Sequence, residues 1–311
     1  MEGVVDPAMR QLLTDIGGID VCVTEFVRVT QQPLPKRTLL KYCPELAKGA
    51  VTRAGTQVRI QFLGSDIEAL AGTAQRAVEL GAKHIDVNFG CPAKTVNKHR
   101  GGAALLKQPE QITHILTGLR EAICDEITLS AKIRLGFESI DESHSIVKAV
   151  HSANVDQLTI HARTKSQGYK PPAYWTEIAK IKASFPDLDI IANGEIWTVE
   201  DFIQCRADSG CNKFMLGRGL LANPFLANQI TDYIRTGSYV AASWKEVVPL
   251  LLLNAEEMIA HSPKTEYFSA RTKQWLTYLK QQFPEAKEAF LNLRTIKCPH
   301  TMLTELRKLN Q

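Results

Sequence analysis

From Val21 to Met215, short runs of apolar, β-branched residues alternate with stretches in which apolar residues recur every three or four positions. That alternation is the pattern of repeated βα units around a parallel sheet. Seven runs predict strands: Val21–Thr24, Val58–Leu63, His84–Asn88, Thr128–Arg134, Gln157–His161, Asp189–Ala192 and Lys213–Leu216. Helical periodicity fills most of the intervals, as over Ile67–Leu80 and Gln111–Ala122. A helix is also predicted over Pro7–Ile16, ahead of the first run, where a closed barrel would have another strand. The expected class is therefore α/β, a (β/α)8 TIM barrel whose first strand is missing from this sequence and is expected ahead of Met1.

The alternation stops after Leu216, and Thr236-Gly237-Ser238 reads as a linker. Beyond it only helical periodicity remains, over Trp244–Ala260, Glu266–Gln282, Pro284–Leu293 and Pro299–Lys308, with Pro263, Pro284 and Pro299 near helix starts. The expected domains are a barrel over 1–235 and an all-helical C-terminal domain over 236–311.

Composition narrows the setting. A chain of 311 residues with 44% apolar content suits one barrel and a small appendage. Seven cysteines without a Cys-x-x-Cys pair resemble neither a disulfide framework nor a zinc site, so no metal is expected and a reducing cytoplasm is the natural location. The longest aliphatic run, Leu250–Leu253, is far short of a bilayer span, and the chain is expected to be a monomer that engages no membrane. A net charge of +4 suits a polyanionic partner but decides little alone.

In a barrel of this kind, chemistry gathers where the strands end and the following loops begin. The sharpest candidate is Asn88-Phe89-Gly90-Cys91-Pro92, which sets one thiol on a turn directly after the strand Ile85-Asp86-Val87. Gly90 tolerates unusual φ and Pro92 biases Cys91 toward extended geometry. A small apolar role for Cys91 stays open beside the reactive one. Other strand ends offer Gln61, Lys132 with Arg134, and His161 with Arg163; alone, Gln61 also reads as a loop cap, Lys132 as a solvated or salt-bridged strand end and His161 as a hydrogen-bonded core residue. The loops Asn193-Gly194-Glu195 and Gly217-Arg218-Gly219 carry glycines that suit tight turns or close approach to an anion. Taken together, with Arg218 as a charged donor, they favour a phosphate site.

These segments resemble the tRNA-dihydrouridine synthases. Val58-Arg59-Ile60-Gln61-Phe62-Leu63-Gly64, Asp86 to Pro92, Gly101-Gly102-Ala103, Lys132 to Gly136, His161-Ala162-Arg163-Thr164, Asn193-Gly194-Glu195 and Gly217-Arg218-Gly219 match that family's motifs in order. Met1 to Asp6 resembles its N-terminal flavin-site motif without the preceding strand. Glu195, Thr24 to Val29 and Ala270 to Leu276 resemble the bacterial C-type branch, associated with uridine 16 of the D-loop.

The resemblance implies that FMN is held by Met1, Gly3, Gln61, Lys132, His161, Asn193, Gly194, Glu195, Gly217 and Arg218, and is re-reduced by NADPH or NADH. Hydride from reduced flavin would go to C6 of uracil, leaving a carbanion at C5 that Cys91 protonates. A thiol, with a usual pKa of about 8.5, is protonated at neutral pH yet acidic enough for that task. The partner would be tRNA, with the target base flipped into the site. Arg28, Asn88, Arg134, Arg163, Arg271, Lys273, Gln274 and Arg294 are the expected tRNA contacts, and Lys94, Lys98, Arg100 and Lys165 join them at the strand ends. Trp275 reads as core, spaced helically with Leu276 and Leu279. Two other classes compete: a dihydroorotate-dehydrogenase-like flavoenzyme acting on a free pyrimidine, and an RNA-binding scaffold with a degenerate flavin site. The former needs no helical appendage, and the latter needs neither Cys91 nor Lys132.

Overall fold

The computed structural model describes residues 3–98, 101–261 and 266–309. Met1, expected at the flavin, lies outside the described residues, as do Arg100 and Pro263. Packing groups the chain into two compact units. The first comprises Val21–Ile196 and Glu200–Leu216, and the second Met1–Asp20, Trp197–Val199 and Gly217–Gln311.

The first unit is a curled, wholly parallel sheet with helices between its strands. Its strands are β1 (Val21–Val23), β2 (Val27–Arg28), β3 (Gln57–Leu63), β4 (His84–Asn88), β5 (Thr128–Gly136), β6 (Gln157–Thr164), β7 (Asp189–Asn193) and β8 (Lys213–Met215). From β3 to β8 each strand pairs with its successor in sequence. Both β1 and β2 pair with β3, Val21 opposite Gln57 and Val27 opposite Phe62, so they form one interrupted strand and the sheet has seven positions. The interruption is bridged by Thr24, whose N–H donates to the Arg59 carbonyl at 2.9 Å. Among the described residues no pairing joins β8 to β1.

Central strands are apolar nearly throughout because both faces of a parallel sheet are covered. Val58, Ile60 and Phe62 of β3, and Leu129, Ala131 and Ile133 of β5, are buried. Asp66 starts the helix Ile67–Glu79 by accepting the Ala69 N–H at 2.9 Å. β5 and β6 run two and three residues beyond their expected ends, carrying Gly136 and Thr164 into the ladder.

The second unit is helical. Its helices Pro7–Ile16, Trp244–His261, Glu266–Leu279, Pro284–Leu293 and Pro299–Leu309 enclose Leu12, Leu251, Phe268, Leu276 and Met302. Asp6 caps the first of these through the Met9 N–H, with Pro7 at its opening position. Trp275 is buried as expected, and its indole N–H donates to the Leu221 carbonyl at 3.0 Å. Among the described residues no helix is long and apolar enough to cross a membrane.

Candidate active site at the strand ends

A strand turns alternate side chains to one face, so Asp86 and Asn88 of β4 look the same way. Asp86 lies opposite Gln61 on β3 and Ser130 on β5, and Asn88 lies opposite Lys132. A continuous hydrogen-bond chain follows. The Ser130 hydroxyl donates to Asp86 Oδ1 at 2.5 Å, and Gln61 Nε2 donates to Asp86 Oδ2 at 2.7 Å. Asn88 Nδ2 donates to Gln61 Oε1 at 2.8 Å, and Asn88 Oδ1 accepts the Gly90 N–H at 2.9 Å. Burial pushes the Asp86 carboxyl up, while Ser130 and Gln61, and then the charges of Arg59 and Lys132, pull it down. Asp86 and Ser130 were not among the expected site residues. Their signal is present in the sequence: an acid and a hydroxyl inside apolar strands, which must find polar partners there.

The Cys91 turn is held from several sides. Arg134 Nε donates to the Gly90 carbonyl at 2.8 Å, and the Phe89 N–H donates to the Lys132 carbonyl at 2.8 Å. The Cys91 carbonyl accepts from the Ala103 N–H and from Asn97 Nδ2, each at 3.0 Å. Gly102, at φ +59°, explains the Gly-Gly motif, because a Cβ there would stand 2.9 Å from the Cys91 carbonyl oxygen and 3.1 Å from Cys91 Cβ. Gly90 departs from expectation: its φ is not positive, and an added Cβ would meet nothing closer than 3.4 Å. The thiol itself is half-buried and packs against Phe26, Leu63 and Val96. By contrast, burial pushes the Cys205 thiol up to about 12, where it is inert.

Lys132, His161 and Asn193 carry the site across the next strands. Burial, reinforced by the Arg134 guanidinium, lowers the Lys132 ammonium to about 8, with Asp86 and Cys91 partly offsetting it. His161 lies opposite Arg134 on one side and Asn193 on the other. Gly194, at φ +115°, also has a steric need to be glycine: a Cβ would sit 2.6 Å from His161 Cδ2. The Trp175 indole N–H fixes that loop by donating to the Gly194 carbonyl at 2.9 Å, and Asn193 Nδ2 donates to the Met215 carbonyl at 2.7 Å. Glu195 also adopts a positive φ, +60°, and its carboxylate pairs with the wholly buried Arg163. That ion pair neutralises a carboxylate that would repel a phosphate. An amide, a low-pKa ammonium and an imidazole along β3, β5 and β6 make a donor set that fits a flavin ring and its reduced, anionic form. Gly3, Gly217 and Arg218 belong to the second unit, where the Arg218 guanidinium lies 4.9 Å from the Trp197 ring centroid.

Three expected tRNA contacts are corrected by burial. Arg134 is 1% exposed and also donates to the carbonyls of Thr164 and Gly168 at 3.0 and 2.8 Å. Arg163 donates to the Pro172 carbonyl at 3.0 Å besides its pair with Glu195. Arg271 is 7% exposed, pairs with Asp6 at 3.1 Å, and donates to the carbonyls of Gly3 and Val4 and to Gln274 Oε1. None of the three side chains reaches a surface where an RNA phosphate could meet it. Lys273 is half-buried, its ammonium donating to the Ile296 carbonyl at 3.0 Å. Arg28 and Arg294 are exposed, and Asn88 and Gln274 are half-buried. After β5, Lys107, which was not among the expected contacts, joins the expected Lys165: their ammoniums stand 4.0 and 4.6 Å from the Phe137 ring centroid.

The profile described as Dihydrouridine synthase (Dus) matches residues 1–307. The tRNA-dihydrouridine(16) synthase of Aquipseudomonas alcaligenes is 47% identical over 295 residues, 94% of this chain and 93% of that protein. The tRNA-dihydrouridine(16) synthase of Shewanella oneidensis is 44% identical over 308 residues, 99% of this chain and 96% of that protein. Among solved structures, histamine dehydrogenase from Rhizobium sp. 4-9 is similar in fold, with a TM-score of 0.52 and 14% identity over 81% of this chain and 47% of that one.

Proposed function

The chain belongs to the dihydrouridine synthase family, and we propose that it reduces a D-loop uridine of tRNA, at position 16, to 5,6-dihydrouridine, with FMN bound and NADPH or NADH as reductant. The observation that carries this reading is the Cys91 turn, bound through Gly90 to Arg134 and Asn88 and placed beside the Gln61, Lys132 and His161 row. A flavin held by these residues would supply the hydride for C6 of the uracil. Cys91 supplies the proton at C5, and a turn held this firmly presents its thiol without reorganisation. Lys132 would stabilise negative charge on a reduced ring, and its lowered proton affinity would rise beside that charge. Gln61 would offer the ring the amide hydrogen left over from its bond to Asp86, and His161 would contribute from β6. By resemblance, Gly3, Asn193 to Glu195, Gly217 and Arg218 complete FMN binding.

Residues 1–235 form the catalytic domain in this reading and 236–311 the tRNA-binding one, acting as a monomer in the cytoplasm, where tRNA is. The tRNA contacts are Arg28, Asn88, Lys273, Gln274 and Arg294, joined by Lys107 and Lys165. A free pyrimidine would need none of the last group. The test is to incubate the flavin-loaded protein and NADPH with tRNA transcribed without modifications and to map the product by mass. A gain of two hydrogens at uridine 16 is expected. Reduction of free orotate or uracil with tRNA untouched would overturn the reading.

A further inference from the structure

Every polar side chain in the row Ser130, Asp86, Gln61 and Asn88 is joined to the next, and the row ends on the backbone N–H that precedes Cys91. Two of the four are amides, and an amide can face either way. Turned as observed, Gln61 gives its NH2 to Asp86 and its oxygen to Asn88, so Asn88 can give its own oxygen to Gly90. Turned the other way, Gln61 would present its NH2 to the NH2 of Asn88. Asn88 would then have to turn as well, setting its NH2 against the Gly90 N–H. The two ends therefore set the polarity together, the Gly90 N–H, which only donates, and the acceptor at the far end of the row. That far end is Asp86, 1% exposed, whose two oxygens accept from Ser130 and from Gln61.

We infer that Asp86 is a positioning residue: by accepting from Gln61 it sets the orientation of two amides in series and thereby holds the Cys91 turn through Gly90. This rests on the assignment of Cys91 as the proton donor, since a turn with no thiol chemistry would gain nothing from such control. A buried carboxylate kept only for stability would be a poor choice, because well-packed apolar replacements of buried charges are often neutral or stabilising.

The test compares Asp86→Leu and Asp86→Asn in the flavin-loaded protein without tRNA, following alkylation of each cysteine by peptide-resolved mass spectrometry and exchange of the Gly90 amide. In Asp86→Leu nothing accepts from Gln61, and the bond to Gly90 is held from its own end alone. Cys91 alkylation and Gly90 exchange should rise about tenfold, the size expected for one buried hydrogen bond lost. Asp86→Asn still offers an oxygen to Gln61. Ser130 can turn its hydroxyl to the Ile85 carbonyl, already 3.5 Å away, and accept from the new amide. That variant should stay within about twofold of wild type on the same grounds. The buried cysteines Cys43, Cys205 and Cys211 serve as internal controls and should keep their rates in both. If Asp86→Leu does not fold, Asp86→Ala, which adds no bulk, takes its place.

The inference is overturned by wild-type rates at Cys91 and Gly90 in the apolar variant, by an Asn variant as fast as the apolar one, or by equal acceleration at the control cysteines, which would mean general loosening. These rates are read without substrate. A wild-type protein that leaves tRNA unreduced would therefore remove the proposed activity while leaving the alkylation result to be judged by itself.

Discussion

Lys132 shows how one residue carries a cost of function. Burial lowers its folded pKa from 10.5 to about 8, so the unfolded chain binds more protons between those values and stability rises with pH across that window. Below pH 8 the flavin-free protein bears the full penalty of a charged, desolvated ammonium. Lys132→Met should therefore be more stable than wild type at pH 7, with the advantage shrinking as pH climbs from about 8 toward 10.5. Denaturant unfolding of the flavin-free proteins along that pH series checks this, and a difference that stays flat or grows contradicts it. The same variant should lose flavin affinity. Gly194→Ala adds a methyl where His161 Cδ2 would be 2.6 Å away, on a backbone at φ +115°. It should displace the imidazole, weaken FMN binding and destabilise the protein by about 1–3 kcal/mol, measurable by flavin fluorescence titration and thermal melting.

Among the elements, Arg271 of the helix Glu266–Leu279 ties down the segment that leads into the helix Pro7–Ile16, through Asp6 and the carbonyls of Gly3 and Val4. Arg271→Ala strands a largely buried Asp6 carboxylate, and a loss of about 3–5 kcal/mol in unfolding free energy is expected. A melt like that of wild type would show the pair to be dispensable. This arginine also marks the limit of what the sequence discloses. The helix Pro7–Ile16 was legible to the residue because Asp6 and Pro7 are local cap signals, and Pro284–Leu293 likewise opens on its proline. The strands were legible as apolar runs, although the split of the first into β1 and β2 depends on pairing with β3 that no local pattern carries. Cys91, Gln61, Lys132 and His161 stand out in the sequence as polar or reactive residues near expected strand ends, although β5 and β6 run on past Lys132 and His161. Arg134, Arg163 and Arg271 look in sequence like surface charges, and only the carbonyls and carboxylates around them make them buried clamps. Asp86 is the converse, a functional candidate hidden inside an apolar strand.

For the molecule as a whole, a modest net charge of +4 means that attraction to tRNA must come from placement more than from excess charge. Arg294, which is exposed, should contribute a phosphate contact: Arg294→Glu should weaken tRNA binding and reduce the slope of log affinity against log salt by about one or two, with flavin content and melting temperature unchanged. An unaltered salt series would move the contact elsewhere. The proposed activity itself stands on Cys91 acting as an acid and not only packing against Phe26, Leu63 and Val96. Single-turnover oxidation of the reduced enzyme by tRNA, scaled to bound FMN, separates those roles in Cys91→Ala. The rate should fall by about 10²- to 10⁴-fold, with flavin content and reduction by the nicotinamide cofactor nearly unchanged. A wild-type rate per loaded molecule, with the defect confined to stability, would contradict it.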